Sequence, residues 1–208
     1  MKLNAFERFI TNSAVRGFMQ KRVEAPRLKK FALKSGYPYC LEIGGGTGRG
    51  GELIIDVFGA EKVIVTDIDP AQVAKSRQRT GRLAAARPEL KDRIDVKVED
   101  AMALSFEDNS FDAVFAFGVI HHMEDWRKAI REIKRVLRPG GEFFFDELLA
   151  GFLTSFPTHM LTRHPEGGMF TKSGFLGYLM ETGIPAARYK SMDGIWITGN
   201  AVKNGRSE

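Results

Sequence analysis

The chain has 208 residues, 43% of them hydrophobic, with 31 Lys/Arg against 26 Asp/Glu. That length fills one α/β core and hardly two, and no apolar run reaches the roughly 18 residues of a membrane-spanning helix. The N-terminus MKLNAFERFITNSAVRGF lacks an apolar stretch followed by a small-residue cleavage site, so no secretory leader is expected. The single cysteine, Cys40, excludes an internal disulfide and fits a reducing compartment, so the expected location is cytoplasmic.

Charge is unevenly placed. Residues 1–40 hold nine Lys/Arg against Glu7 and Glu24, whereas the rest carries 22 basic and 24 acidic residues. The basic character therefore belongs to an N-terminal extension. It reads either as a solvated helical face or as a contact for an anionic partner such as lipid headgroups or nucleic acid.

In chain order, residues 3–22 and 26–35 are expected to form two helices separated by Pro26. The first carries an apolar stripe of Leu3, Phe6, Phe9 or Ile10, Val15, Phe18 and Met19. Residues 1–36 would be a helical cap or extension and 37–208 the main domain. Tyr39–Ile43 reads as a buried strand, Gly48–Phe58 as a helix ended near Gly59, and Lys62–Thr66 as a β-branched strand. Pro70 opens a long helix to about Arg87, capped by Asp69. Ile94–Val98 alternates like a strand, and Phe111–Phe117 is apolar on both faces, as inside a parallel sheet. Trp126–Leu137 is an amphipathic helix stopped by Pro139-Gly140-Gly141, and Glu142–Leu148 is a further strand. A loop rich in Pro, His and Gly precedes a helix at Ser173–Thr182 and two strands near Ala187–Ser191 and Ile195–Val202. Short connections in this order require right-handed crossovers and a doubly wound, mainly parallel sheet.

Four glycines occupy the five positions from Gly44 to Gly48, directly after the first strand. Ligands of open parallel sheets sit outside the carboxyl ends of the strands, so this loop is placed for binding. Gly46-x-Gly48-x-x-Gly51 with Asp67 at the end of the second strand satisfies the dinucleotide fingerprint, which NAD and S-adenosylmethionine proteins share. Glu42 separates the two, because an acid there recruits the ammonium of S-adenosylmethionine, directly or through water, and repels a pyrophosphate. Asp100, after the third strand, suits the exocyclic amine of adenine.

Glu42-x-Gly44-x-Gly46-x-Gly48, Asp67, Asp100, Phe111-Asp112-Ala113-Val114 and Leu137-x-Pro139-Gly140-Gly141 together resemble the class I S-adenosylmethionine-dependent methyltransferases. The likeness is greatest to their small-molecule and lipid methylators (type 11-like) and covers roughly residues 37–150. It implies a Rossmann-like seven-stranded sheet of order 3-2-1-4-5-7-6 with the last strand antiparallel. It also implies S-adenosylmethionine as cofactor and S-adenosylhomocysteine as product. Gly44, Gly46 and Gly48 would line the methionine and ribose moiety, and Asp67 would hold the ribose hydroxyls. Ile68 would pack on adenine, Asp100 would take its amine, and Ala101 would offer its N–H to the ring. Phe117 and Gly118 would flank the methionine portion.

His121 and His122, in GVIHHMEDW after the fourth strand, are the candidates for a general base or acceptor-orienting group. The alternative is that the pair is structural. Asp146-Glu147 would meet the acceptor or cap the next turn. Phe156 to Phe170, with His159, Arg163, His164 and Pro165, would form a lid able to greet an anionic group.

No Asp/Asn-Pro-Pro-Tyr/Phe follows the fourth strand, which speaks against base-flipping DNA methylation. No cluster has metal-ligand spacing, so no metal is expected. The expected function is methyl transfer to O, N or S of a small-molecule or lipid-like acceptor, with the basic helices capping the pocket and meeting a membrane surface. The alternatives are an RNA or protein methyltransferase and, in another class, an NAD-dependent oxidoreductase.

Overall fold

The strands of the sheet centre are apolar on both sides, and the fold buries both sides. In the computed structural model, which describes residues 13–156 and 165–205, Phe111, Ala113, Val114, Phe115 and Ala116 of one strand are all buried. Such a strand needs a helix layer above and below it.

Seven strands make one sheet: β1 (Tyr37–Ile43), β2 (Ala60–Asp67), β3 (Ile94–Val98), β4 (Phe111–Phe117), β5 (Leu137–Leu148), β6 (Ala186–Met192) and β7 (Trp196–Val202). Their order is β3-β2-β1-β4-β5-β7-β6. The first five pair in parallel, with Leu41 opposite Ile64 on one side and Val114 on the other. β7 runs antiparallel to both neighbours, β5 and β6. The expected doubly wound order and its antiparallel last strand are therefore present.

The helices are α1 (Ala14–Met19), α2 (Ala25–Lys29), α3 (Arg49–Phe58), α4 (Pro70–Ala86), α5 (Trp126–Val136), α6 (Ala150–Leu153) and α7 (Lys172–Glu181). On one face, Leu28 of α2, Ile54 and Phe58 of α3 and Val73 of α4 join Cys40, Val63 and Phe115 in a single apolar cluster. On the other, Trp126, Ile130 and Ile133 of α5 and Phe175 and Leu179 of α7 pack with Leu41, Val114 and Phe143. Each such side chain contributes about 1.5–3 kcal/mol through burial. Asp69 caps α4 as expected, accepting from the Ala71 N–H at 3.0 Å.

Two expectations need correction. Residues 3–12 lie outside the described residues, but from Ala14 onward the helix does not break at Pro26. α1 continues through a π turn (Gln20–Glu24) into α2, with Pro26 near the start of α2. A proline lacks the N–H and crowds the carbonyl four residues back, and the wider π turn just before it accommodates that demand. The helix then ends at Lys29, short of residue 35, because the Leu33 N–H is drawn to the buried carboxylate of Glu142 at 3.1 Å. Glu142 also accepts from Tyr37 Oη at 2.6 Å and Asn200 Nδ2 at 2.7 Å, tying the N-terminal segment to β1, β5 and β7.

The second correction concerns Pro139-Gly140-Gly141. These residues do not stand between helix and strand; they lie inside β5, which starts at Leu137. A register shift between Phe111 and Ala113 absorbs them. Gly140 donates to the Lys203 carbonyl and Gly141 accepts from the Lys203 N–H, so the ladder continues past the proline.

Candidate active site

The carboxyl ends of β1 to β4 open on one cleft. Glu42, Gly44, Gly46, Asp67, Ile68, Asp100, Ala101, Phe117, Gly118 and His122 all line it. Gly48 and His121, the other two candidates from the sequence, do not.

The glycine loop shows why glycine is needed at two of these positions. Gly46 has φ +54° and a Cβ added there would meet nothing within 4 Å, so its missing side chain leaves space in the cleft itself. Its N–H donates to Asp67 Oδ2 at 2.9 Å, which ties the loop to β2. Gly48, at φ +77°, precedes α3, and a Cβ there would lie 2.1 Å from Ser76 Oγ. Gly48 thus sets the packing of the loop on α4 rather than the lining.

Glu42 lies beneath this loop. A Cβ on Gly50 would fall 1.8 Å from Glu42 Oε1, so the carboxyl sits under the first turn of α3. Glu42 is 2% exposed, and its Oε2 is buried without a hydrogen-bond partner. Burial pushes its pKa up to about 8; the nearby Asp67 charge adds to this and the Gly51 N–H opposes it. A buried, unsatisfied carboxylate oxygen is costly, and a cationic group, or a water carrying one, is the partner that satisfies it.

Asp67 accepts from Gly46 and, through Oδ1, from the Asp69 N–H at 2.9 Å. Burial raises its pKa while those two N–H groups pull it down. Each oxygen keeps a second lone pair, which suits a diol. Asp100 Oδ1 accepts from the Met102 N–H at 2.8 Å, leaving Oδ2 as an acceptor. Ile68 is 41% exposed on the cleft wall, an apolar surface suited to a flat aromatic base. Five carboxyl groups (Glu42, Asp67, Asp69, Glu99 and Asp100) outnumber Arg16 and Arg49 along the cleft, an unfavourable setting for a pyrophosphate. The donor set and the orphaned Glu42 oxygen fit S-adenosylmethionine.

The two histidines part company. His122 is on the cleft wall. His121 is 3% exposed, with Nδ1 2.7 Å from Glu147 Oε2. Glu147 Oε1 also accepts the N–H groups of Val119 and Ile120 at 3.1 Å, so it holds the whole turn after β4. Burial pushes Glu147 up to about 8 against those N–H donors. Asp146 faces the N-terminal helix, 3.7 Å from Arg27 Nη2; burial and the Glu24 charge push it up to about 7. Neither Asp146 nor Glu147 lines the cleft. Of the expected lid, His159, Arg163 and His164 lie outside the described residues, while Phe170 is buried against Trp126 at 5.1 Å between ring centroids.

The sequence led us to expect the N-terminal helices as a cap on the pocket but singled out none of the covering residues by itself. Arg16 and Gln20 reach the cleft from the N-terminal helix, and Thr47, Arg49, Gln72 and Val119 complete the wall. Val119 carries one recoverable signal: a Cβ on Gly44 would strike its Cγ2 at 2.1 Å. Among the described residues no group of three or more His, Cys, Asp or Glu could hold a metal, and no helix is long and apolar enough to cross a membrane.

Sheet order and cleft position define a doubly wound α/β domain with an acid-rich cleft at the carboxyl ends of its strands. A family model described as a methyltransferase domain matches residues 41–145, half of the chain, and the chain belongs to that family, within class I of the S-adenosylmethionine-dependent methyltransferases. It is 38% identical over 111 residues to 27-O-demethylrifamycin SV methyltransferase of Amycolatopsis mediterranei, covering 52% of this chain and 38% of that protein. It is 33% identical over 111 residues to a sterol 4-C-methyltransferase of Caenorhabditis elegans, covering 53% of this chain and 31% of that protein. These matches therefore span only 31–38% of the curated relatives' own length. A crystal structure of an S-adenosylmethionine-dependent methyltransferase from Aquifex aeolicus superposes with a TM-score of 0.72 at 19% identity, covering 97% of this chain and 99% of the other.

Proposed function

We propose that this chain transfers a methyl group from S-adenosylmethionine to a nucleophilic atom of a small-molecule or lipid-like acceptor. The observation that carries it is the convergence of Glu42, Asp67 and Asp100 from three successive strand ends on one cleft, with Glu42 Oε2 unsatisfied.

When bound, S-adenosylmethionine supplies a methyl group already activated on a sulfonium. The protein's part is therefore alignment and water exclusion, worth effective molarities of about 10⁵–10⁸ M in favourable cases. Glu42 would receive the ammonium, Asp67 the ribose hydroxyls and Asp100 the adenine amine, with Ile68 and the Ala101 N–H against the ring. Gly44, Gly46, Phe117 and Gly118 would contact the methionine portion. His122 would orient the acceptor or take its proton, and Arg16 and Gln20 would close the cleft from above.

The sequence suggested O, N or S as acceptor atom. A relative named for O-methylation and one named for sterol 4-C-methylation add carbon to that set. A bilayer-held acceptor is supported by the outward face of residues 18–34. There Phe18, Met19, Val23 and Leu33 are exposed beside Lys21, Arg22, Lys30 and Lys34. A cytoplasmic setting belongs to the same reading, supported by the single buried thiol of Cys40.

The test uses S-adenosylmethionine labelled in its methyl group, incubated with the chain and a cell extract. Label in the organic-soluble or small aqueous fraction supports this reading. Label confined to macromolecules replaces it with RNA or protein methylation. No label together with no S-adenosylhomocysteine binding removes methyl transfer altogether.

A further inference from the structure

A second concavity adjoins the cleft and shares Thr47 and Arg49 with it. Its other wall comes from α4, where Lys75, Gln78, Arg79 and Arg82 recur at i, i+3, i+4 and i+7 and so share one helix face. Its lining holds four cations (Arg49, Lys75, Arg79 and Arg82) and no carboxyl, whereas the cleft sets five carboxyl groups against Arg16 and the shared Arg49.

Arg49 Nη1 donates to the Ser13 carbonyl, but Lys75, Arg79 and Arg82 are poorly compensated. Glu52 meets Arg79 at 2.8 Å but is shared with Arg87 at 3.5 Å. Arg79 Nε is buried without a hydrogen-bond partner. Lys75 and Arg82 are exposed and make no ion pair among the described residues. Burial, and then the guanidinium groups of Arg79 and Arg16, hold Arg49 below the usual arginine range. Like charges gathered around a concave surface repel one another until an anion joins them. Guanidinium forks beside a lysine ammonium and a threonine hydroxyl are the donor set that suits a phosphate group.

We propose that this groove is a second binding site, separate from the cofactor cleft, for a phosphate-bearing group. The group belongs to a small phosphate ester or diphosphate, or to a phospholipid head. Because Thr47 and Arg49 belong to both linings, the occupant lies against the cofactor loop itself.

The test compares the full chain with a Lys75→Gln/Arg82→Gln double variant, whose side chains are exposed and outside the cleft. Inorganic pyrophosphate is titrated calorimetrically at about 0.15 M salt, where distant surface charges are screened. In parallel the chain is cosedimented with phosphatidylcholine vesicles with and without phosphatidic acid. The expected result is one-to-one pyrophosphate binding, weakened at least about tenfold in the double variant. Unchanged S-adenosylhomocysteine affinity and circular dichroism show the variant to be folded. Should the double variant lose its fold, Gln78→Glu, which places a repulsive charge in the groove, takes its place. Cosedimentation with phosphatidic acid vesicles alone, abolished in the variant, supports the site with a lipid head as its source. Binding of neither probe, or equal pyrophosphate binding by parent and variant, overturns the proposal. The pyrophosphate readout stands whether or not the chain proves to methylate anything.

Discussion

Glu147 Oε2 lies 2.7 Å from His121 Nδ1, with both side chains buried, while Oε1 of the same carboxyl accepts the Val119 and Ile120 N–H groups. One side chain at the end of β5 thereby fixes the turn that carries His122 onto the cleft wall. Removing it takes the shared acceptor away from the Val119, Ile120 and His121 N–H groups and from the His121 ring. Glu147→Ala is expected to cost about 3–5 kcal/mol of stability, as when one member of a buried pair is deleted. Glu147→Gln keeps an acceptor for the backbone groups and should cost about 1–2 kcal/mol. Urea unfolding of the three proteins checks both; equal stabilities would deny the turn its anchor.

A second prediction concerns Glu42 and pH. Its ordinary pKa is 4.5 and its folded value is about 8. Between those values the unfolded chain has lost this proton and the folded chain keeps it, so stability falls as pH rises through that window. Glu147, near 8, and Asp146, near 7, act in the same direction. The cofactor-free protein is therefore expected to melt lower at pH 9 than at pH 6, with a shallower slope in Glu42→Gln.

The same group predicts proton release on binding. At pH 7 Glu42 is mostly protonated, and a cationic ammonium beside it favours ionisation. Binding of S-adenosylhomocysteine should then release a large fraction of one proton. Titrations in buffers of different ionisation enthalpy measure that release, and Glu42→Gln should abolish it. Identical release by parent and variant would mean that Glu42 does not meet the ligand's cation.

Much of this was legible in the sequence, because strand ends announce themselves. Asp67 and Asp100 follow β-branched runs in chain order, which places them at the carboxyl ends of their strands. Pro70 and Gly59 punctuate their helices as local rules require. What was not legible depends on contacts between distant segments. The N-terminal helices were expected over the pocket, but nothing near Arg16 or Gln20 says that these two side chains are the ones that reach the cleft. The adjacent pair His121-His122 looked like a unit, and only Glu147, on another strand, separates a buried ring from a cleft-facing one. Pro26 and Pro139 both misled as local stop signals: a π turn carries the helix past Pro26, and pairing with the distant Lys203 carries the strand past Pro139.

Gly46 and Gly50 offer a paired test of loop and scaffold. A Cβ at Gly46 meets no protein atom, so Gly46→Ala should fold, paying only about 1–2 kcal/mol for its left-handed backbone. It should nonetheless bind S-adenosylhomocysteine at least about tenfold more weakly, since the methyl group occupies ligand space. Gly50→Ala drives a Cβ into Glu42 Oε1 and should lower the melting temperature more than Gly46→Ala does. The reverse ranking of stabilities would mean that the open space at Gly46 is not the ligand's.

The histidines separate chemistry from support. His122 lines the cleft, and His121 hydrogen-bonds Glu147 behind it. If His122 takes the acceptor's proton, His122→Ala should lower kcat by about 10²–10⁴-fold with the melting temperature little changed, and kcat should rise with pH as the imidazole loses its proton. His121→Ala should instead lower stability, because it strands the Glu147 carboxyl, and should lower kcat only as far as His122 loses its seat. His122→Asn distinguishes orientation from proton transfer, since its amide can hold an acceptor but cannot titrate. Restored turnover in His122→Asn with a flat pH profile would make His122 a positioning residue. Unchanged turnover in His122→Ala would leave the displacement without a base from this turn, the outcome expected when the acceptor arrives already deprotonated.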